Sequence, residues 1–317
     1  MTTQKGISRE LANNTVQVID LRKLLKILWN KKLFIFIITV VFALGSMFYA
    51  ISVPNKYKSE IVVMSNSTTE DQGMLSSIAG QFGGLASLAG VNLGSGTTDK
   101  VTYALEVIKS RTFIYEFITK YDLFLPLMAA EDWERETDTF IFDSDIYDFQ
   151  TKSWVREVPK PYLPKPSLEE TYEEFLKKNL EIKQDKNTGM VKISIIHYSP
   201  ILARYLAERI VVELNDSIKE QELIEAKNSI SYLEKELLKT NVQDMRGMFY
   251  QLIEKQYQKL MLTKTRKDYV LKIVDAPIVP EMKDSPSRAL ICVIGTMLGA
   301  LLSILYIMFM FFIRAYK

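Results

Sequence analysis

The side chains best suited to covalent chemistry are scarce in this sequence. His197 is the single histidine, and Cys292 is the single cysteine. His197 ends a predicted strand and has no cysteine, aspartate or second histidine at ligand spacing, so we interpret it as a structural residue. Cys292 lies in an uncharged run, where packing is its expected role, and a lone cysteine cannot form a disulfide within the chain. The sequence offers no nucleophile–base pair, which predicts that the chain has no catalytic residues.

A glycine-rich tract over residues 65–98 has the composition of a phosphate-binding loop without its signature. The tract contains the run GQFGGLASLAGVNLGSGTT. A phosphate loop ends in Gly-Lys-Ser/Thr, which places a lysine on the phosphate. This run ends in Gly94-Ser95-Gly96-Thr97-Thr98 and has no such lysine. We therefore predict a mobile loop with a short helix of small residues, and no cofactor.

A dense acidic run could in principle hold a hard cation. Its carboxylates surround a single basic residue, Arg135, and are Glu131, Asp132, Glu134, Glu136, Asp138, Asp143, Asp145 and Asp148. They lack the spacing and the fixed glycine of a calcium loop, so the pattern predicts a solvated loop and no metal site. The formal net charge of the whole chain is +2, which argues against a nucleic-acid partner.

Two long uncharged runs indicate that the chain is positioned by a membrane. Leu33–Val53 and Ala289–Ile313 contain no charged residue. At a rise of about 1.5 Å per residue, a helix of either length can cross a hydrocarbon core of about 30 Å. The first run is too long, and starts too far from the amino terminus, for a cleaved signal peptide. We predict transmembrane helices at 33–53 and 289–313, in contact with membrane lipids.

The basic residues before the first run set the predicted orientation. They are Lys5, Arg9, Arg22, Lys23, Lys26, Lys31 and Lys32. The positive-inside rule places segment 1–32 and the tail 314–317 in the cytoplasm, with residues 54–288 across the membrane. Asp20 is the predicted N-cap of an amphipathic helix in the first segment, with its leucines toward the membrane surface.

Residues 54–198 have the patterns of an α/β domain. The predicted elements are a strand over 57–64, one or two helices over 102–121, a stiff extended proline connector over 159–166, a helix over 168–179, and a hairpin over 180–184 and 190–196. Ser167 and Glu170 have the spacing of a capping box. Val191, Ile193 and Ile195 alternate with polar residues, which indicates a strand with one buried face.

Residues 199–266 predict a long helical hairpin. Ser199-Pro200 is a favourable helix start, and neither proline nor glycine interrupts residues 201–246. A heptad seam follows at Leu223, Ala226, Ile230, Leu233 and Leu237. About forty helical residues span about 60 Å, so the helix must project. A break near 240–241 or 246–247 would return the chain along an apolar stripe at Met245, Met248, Phe249, Leu252, Ile253, Tyr257, Leu260 and Met261.

The pattern of residues 267–288 predicts a return strand over 268–275 that rejoins the hairpin of strands 180–184 and 190–196. A proline-rich segment follows. The segment holds Pro277, Pro280, Ser285 and Pro286. Its prolines disfavour a helix, so the chain should approach the membrane extended and become helical near Ser287. Arg288 should then lie at the membrane interface, where its long side chain can reach the lipid headgroups.

Small residues within the two apolar runs predict close helix packing. Gly295 and Gly299 form a G-x-x-x-G motif in the second run, and Ser46 and Ala50 form a similar small-residue pair in the first. Such residues let helix backbones approach closely in a membrane. The pattern fits packing within one subunit as well as packing between neighbouring subunits.

This layout resembles the polysaccharide co-polymerases, the Wzz-like chain-length determinants of Gram-negative inner membranes. The residues that carry the resemblance are Ala276-Pro277, Pro280, Ser285-Pro286 and Arg288 before the last span, Ile19-Asp20-Leu21 before the first, Pro54 and Tyr57-Lys58-Ser59 after it, and Ser199-Pro200 with Ala203 at the long helix. The family often has another proline between those matching Pro280 and Pro286, where this chain has Lys283.

The resemblance implies an α+β membrane protein in which two transmembrane helices flank a periplasmic α/β base domain with a long, coiled-coil-like helical hairpin. It implies a homo-oligomeric ring with the bases side by side, helices forming a periplasmic barrel, and both termini in the cytoplasm. It also implies a function: the ring sets the modal length of O-antigen or a related polysaccharide, together with a polymerase that extends a lipid-linked polysaccharide.

Two other classes of protein share parts of this layout. A periplasmic sensor also has two spans, but it needs a cytoplasmic signalling domain, and four residues follow Ile313 here. A capsule or exopolysaccharide export co-polymerase working with a separate cytoplasmic tyrosine kinase stays open as the alternative. The fused kind carries a phosphate loop and a tyrosine cluster, whereas Tyr316 is the only tyrosine after the second run. We expect a scaffold rather than an enzyme.

Overall fold

A computed structural model of the chain describes residues 29–66, 96–266 and 268–315. The predicted amphipathic helix after Asp20, most of the glycine-rich tract and the last two residues lie outside the described residues. The chain divides into two compact units, here called the membrane unit and the sheet unit. The membrane unit comprises the residues up to Pro54 and from Pro286 onward, and the sheet unit comprises Asn55–Ser285.

The described residues form helices alongside antiparallel strands, which is the predicted α+β content. The helices are α1 (Lys32–Ser52), α2 (Gly96–Lys109), α3 (Arg111–Lys120), α4 (Phe124–Met128), α5 (Leu168–Glu174), α6 (Pro200–Lys239), α7 (Gln243–Thr265) and α8 (Arg288–Ala315). The strands are β1 (Tyr57–Ser65), β2 (Ala130–Glu134), β3 (Thr139–Phe142), β4 (Tyr147–Asp148), β5 (Ser153–Trp154), β6 (Leu180–Gln184), β7 (Val191–His197) and β8 (Leu271–Asp275).

Helices α1 and α8 form the membrane unit. By length and composition, Lys32–Ser52 and Arg288–Phe311 are long and apolar enough to cross a membrane. Both runs predicted from the sequence are therefore helical, with ends shifted by one or two residues. Helix α8 begins just after the prolines, where Ile291 N donates to Ser287 O at 3.2 Å. Two candidate spans fit a membrane-anchored protein.

A four-stranded sheet in the order β6-β7-β1-β8 organises the sheet unit, and every neighbouring pair is antiparallel. The predicted hairpin of β6 and β7 forms one edge. Strand β1 pairs with β7 from Tyr57 opposite His197 to Val63 opposite Val191. Strand β8 pairs with β1 and not with the hairpin, and it starts at Leu271 rather than at residue 268.

The core of the sheet unit lies between the sheet and the first half of α6. The alternating apolar residues of β1 and β7 are fully buried, as are those that recur at helical spacing in α6: Ile61, Val63, Ile193, Ile195, Leu206, Ile210 and Leu214. Helices α2 and α3 cover the rest of this core. Burying these side chains stabilises the unit, since each contributes about 1.5–3 kcal/mol when removed from water.

The helix predicted over 168–179 has a different second half. Its capping box is present, with both the Ser167 and Glu170 side chains bonded to the backbone of the other residue. The α-helical part stops at Glu174, and Phe175–Asn179 form one wider π-helical turn. Phe175 is fully buried in the core, and Asn179 Nδ2 donates to Ile196 O at 2.9 Å. The wide turn thus joins α5 to the sheet.

Helices α6 and α7 contact each other, and the predicted heptad seam is buried only around Ala226 and Ile230. Helix α6 runs for 40 residues, and the chain turns at Thr240. The alternative break at residues 246–247 is wrong, since Gly247 lies within α7. Ala226 and Ile230 pack with Leu260 in a small second core. Most of the predicted return stripe is exposed, namely Met245, Met248, Leu252, Tyr257 and Met261.

The acidic run forms two small hairpins rather than the predicted loop, although most of its carboxylates are exposed to solvent as expected. Strand β2 pairs with β3, and β4 pairs with β5. Aromatic side chains lie between the carboxylates and contact one another in this region. The Phe142 and Phe149 rings stack with centroids 6.2 Å apart, and the Tyr147 and Trp154 rings meet edge to face at 5.3 Å. These contacts give the run an ordered structure despite its charge.

The proline connector over 159–166 folds back instead of running straight. Tyr162 N donates to Pro159 O at 3.1 Å, which closes a turn. The Arg156 guanidinium donates to Leu163 O at 2.9 Å and forms an ion pair with Glu170 at 2.8 Å. The sequence alone predicted a stiff extended segment because it gives no sign that Arg156 holds the connector.

Candidate functional site

The proline-rich segment is held along the start of β1. Lys56 N donates to Ser285 O at 2.8 Å, and Asp284 N donates to Lys56 O at the same distance. Ser59 Oγ donates to Ile278 O at 2.8 Å. In the bond from Ser59, the segment supplies a carbonyl acceptor. Prolines lack an N–H donor but keep their carbonyl group, so the prolines near Ile278 do not prevent this kind of contact. The segment stays non-helical until Arg288, as predicted.

Lys56 lies beside this segment in an environment that disfavours its charge. Burial lowers the pKa of the Lys56 ammonium, and repulsion from Lys178 lowers that pKa further. Its Nζ lies 5.0 Å from the centre of the Tyr198 ring, a distance at which a cation is attracted to an aromatic face. Lys56 is therefore fixed both through its backbone and through its side chain.

Gly295 and Gly299 lie against α1, so the two candidate spans approach closely within one chain. A Cβ atom built on Gly295 would lie 2.3 Å from Ser46 Cβ, and one built on Gly299 would lie 2.5 Å from Phe42 Cβ. Ala50 is 1% exposed. Side chains larger than hydrogen do not fit at either glycine without movement of the helices.

The contacts between α1 and α8 also include Phe42, a residue that the sequence analysis did not identify as a neighbour of Gly299. Phe42 lies opposite Gly299, and the Phe34 and Tyr306 rings stack with centroids 5.6 Å apart. As the residue numbers of the contacts increase along α1, the numbers of their partners in α8 decrease, so the two helices are antiparallel. In that register Phe42 could have been found, because it lies four residues before Ser46 just as Gly299 lies four residues after Gly295.

Both ring nitrogens of His197 are engaged by backbone groups. Nε2 lies 3.0 Å from Pro126 O, and Nδ1 accepts from Ser199 N at 3.1 Å. Burial lowers the pKa of His197 to about 4, partly offset by the bond to Pro126 O, so the ring is neutral at pH 7. The ring joins α4, β7 and the start of α6, and it has no free nitrogen for acid–base chemistry.

Within the described ranges, no group of three or more histidine, cysteine, aspartate or glutamate residues is placed to hold a metal ion. Cys292 is half-buried in α8 as a free thiol. The end of the glycine-rich tract, from Gly96, is part of α2, and the rest lies outside the described residues. The absence of catalytic, cofactor and metal residues stays a prediction.

Asn215 is a buried polar residue whose role the sequence did not indicate. Its Oδ1 accepts from Val270 N at 3.0 Å and from Leu271 N at 2.9 Å, and its Nδ2 donates to Leu271 O at 2.8 Å. One amide side chain in α6 thus satisfies three backbone groups at the start of β8. Because these residues are far apart in the sequence, no local pattern could have paired them.

The described residues form an α+β protein whose two candidate spans fit a membrane-anchored protein. The family model described as "Wzz: Chain length determinant protein" matches residues 17–121, from before α1 to the end of α3. The predicted resemblance to Wzz-like chain-length determinants, the polysaccharide co-polymerases, is confirmed by this match.

Two solved structures are similar to this chain at low identity. A full-length bacterial polysaccharide co-polymerase has a TM-score of 0.38 and 14% identity, and the likeness covers 94% of this chain and 99% of that chain. A fragment of the polysaccharide co-polymerase WzzB from Salmonella Typhimurium has a TM-score of 0.33 and 13% identity, covering 73% of this chain and 100% of that chain. No curated protein sequence matches this chain at a significant level.

Proposed function

We propose that this chain is a non-catalytic regulator of the length of a bacterial surface polysaccharide of the O-antigen type of lipopolysaccharide. It would act as an oligomeric scaffold in the inner membrane, together with a polymerase that extends a lipid-linked polysaccharide. The observation that carries the proposal is the chain length determinant match over residues 17–121. The two candidate spans support it, since a regulator of this kind must lie beside a membrane-bound polymerase.

In this proposal residues 1–32 and 314–317 are cytoplasmic, and residues 54–288 are periplasmic. Residues 54–198 form the base domain, and residues 199–266 form the helical projection. The proline motif at Pro277, Pro280, Ser285, Pro286 and Arg288 connects the base to the second span. The hydrogen bonds of Ser285 and Ile278 to the start of β1 support that role.

Assembly into a ring of identical chains is part of the same proposal. Several large apolar side chains of α6 and α7 are exposed in the single chain: Ile224, Leu238, Met245, Met248, Leu252 and Met261. Exposed apolar surface of this kind is typical of protein interfaces. The close approach at Gly295, Gly299, Ser46 and Ala50 supports packing of the two spans within a subunit, which leaves the helical hairpin for contact between subunits.

The proposal is tested by deleting the gene in its own host and separating the surface polysaccharide on a gel. We expect the length distribution to lose its modal band while polymer is still made, and we expect a plasmid copy to restore the band. Loss of all high-mass polymer would favour the export co-polymerase that works with a cytoplasmic tyrosine kinase. If both the amount and the length distribution are unchanged, the proposed function is wrong.

A further inference from the structure

A cavity of about 350 Å³ lies in the sheet unit, where the first acidic hairpin meets the proline-rich segment. Its lining includes the aromatic rings of Tyr57, at the start of β1, and Trp133, in β2, together with Pro280. Two charged residues, Arg135 and Glu281, also line it. Small-molecule pockets in proteins have volumes of about 300–1,000 Å³, so this cavity is large enough for a small ligand.

The two aromatic rings are held in a fixed orientation. The Tyr57 and Trp133 rings meet edge to face, with centroids 6.1 Å apart and planes at 78°. The Trp133 indole Nε1 donates to Asp138 Oδ1 at 2.8 Å, so its hydrogen bond is already made. Trp133 therefore offers the cavity apolar ring surface rather than a polar group, and the Asp138 bond keeps the ring in place.

The two charged residues offer both a donor and an acceptor. Arg135 and Glu281 are exposed. Within the part of the chain that the structure describes, neither side chain forms an ion pair or a hydrogen bond with the protein. The guanidinium can only donate and the carboxylate can only accept, so a ligand that uses both must itself carry acceptors and donors. These two charged lining residues carry opposite charges, which sum to zero.

We propose that this cavity binds an uncharged sugar residue of a glycan chain. A sugar ring combines an apolar C–H face, which packs on aromatic rings, with hydroxyl groups that both donate and accept hydrogen bonds. That combination matches the two rings and the charged residues Arg135 and Glu281, whereas a phosphate would meet the Glu281 carboxylate. The inference rests on the proposed function and gives the polysaccharide a contact point on this chain.

The cavity also connects the glycan to the proline-rich segment. Pro280 lines the cavity, and Ser59 holds the neighbouring Ile278 carbonyl at 2.8 Å. A sugar in the cavity would therefore contact β1, the first hairpin and the proline-rich segment at the same time. This gives the acidic hairpin a function that its charge alone did not suggest.

Binding is measured with the full-length protein in nanodiscs and short oligosaccharides released from the host's own surface polysaccharide. The chain has three tryptophans, so Trp29→Phe with Trp154→Phe leaves Trp133 as the only indole. We expect a saturable change in Trp133 emission with the oligosaccharide and none with inorganic phosphate. Arg135→Ala and Glu281→Gln should each weaken binding about tenfold, and both residues are exposed, so both variants should fold.

Trp133→Ala and Trp154→Ala form a matched pair, which is measured by calorimetry in the otherwise native chain. Trp154 lies in the second hairpin against Tyr147 and does not line the cavity. We expect about tenfold weaker binding for Trp133→Ala and unchanged binding for Trp154→Ala. The absence of saturable binding, equal binding by the Arg135 and Glu281 variants and the native chain, or tighter binding of phosphate would each overturn the proposal.

The gel experiment separates failure of this site from failure of the proposed function. If deletion of the gene changes polysaccharide length but the Arg135 and Glu281 variants restore the native distribution, the cavity is not used and the function stands. If deletion changes nothing, the function itself is wrong, whatever the oligosaccharide binding shows.

Discussion

Replacing Gly295 by alanine should force the two candidate spans apart, whereas the same change at Gly45 should not. A Cβ atom at position 295 would lie 2.3 Å from Ser46 Cβ and 2.7 Å from Ser46 Oγ. A Cβ atom at position 45 would meet nothing within 4 Å. Both glycines lie in the interiors of long apolar helices, so Gly45→Ala is a matched control.

The magnitude follows from the contact distances. Carbon atoms pack at about 3.5–4.0 Å, so the new methyl group needs about 1.5 Å more room than the structure provides. Ser46 Cβ is attached directly to the backbone and cannot rotate away, so the helices themselves must move. Overpacking of this kind costs about 1–3 kcal/mol, and the better helix propensity of alanine offsets up to about 1 kcal/mol. Gly45→Ala should gain the better helix propensity of alanine without any overpacking.

The assay measures how often α1 and α8 are in contact. Phe34→Cys and Tyr306→Cys replace two stacked rings, and Cys292→Ala removes the single native thiol. A short bifunctional thiol reagent should cross-link this parent chain within itself. We expect the cross-link to form about tenfold more slowly with Gly295→Ala and at the parent rate with Gly45→Ala. Equal rates for all three chains, or a product that contains two chains, would refute the packing within a subunit.

Three further predictions concern the sheet unit. Since burial lowers the pKa of His197 to about 4 from the ordinary value of 6.5, the unfolded chain binds a proton at higher pH than the folded chain. The contribution of His197 to the free energy of unfolding should then be constant above about pH 6.5 and fall by about 3 kcal/mol as the pH drops to about 4. An NMR titration of this single histidine with a midpoint near 6.5 would contradict this prediction. Asn215→Ala should lower the free energy of unfolding by about 2–4 kcal/mol, because three backbone groups lose their partner; urea unfolding checks this against the exposed Asn228→Ala. Ile230→Ala should speed hydrogen exchange in α6 and α7 by opening the small second core, at a cost of about 2–4 kcal/mol, whereas Ile224→Ala, at a residue 52% exposed, should not.

Elements with a long or strictly alternating pattern could be predicted from the sequence. The two apolar runs are long and uncharged, β7 alternates strictly, and no proline or glycine interrupts the long helix α6; the structure has all four elements. The capping box at Ser167 was equally readable, since both of its partners lie within four residues of each other. These features depend on neighbours in the chain, which a sequence displays directly.

The rest depends on partners that are distant in the sequence. Arg156 folds the proline connector back by bonding to its carbonyl groups, and Asn215 in α6 fixes the start of β8. Trp133 was hidden among carboxylates, although its contact with Tyr57 orders the first hairpin and both rings line the cavity. The candidate site was predictable only in part. The glycines could be found from their spacing in the sequence, whereas finding Phe42 requires knowing how the two helices are aligned.

The central claim is that this chain regulates polymer length without catalysing polymerisation. The most direct test incubates the purified polymerase and its lipid-linked repeat unit with and without the full-length chain in one membrane, and separates the products on a gel. We expect a broad distribution of polymer lengths without the chain, a narrow modal band with it, and no polymer from the chain alone. Polymer formed by the chain alone, or identical distributions with and without it, would contradict the account.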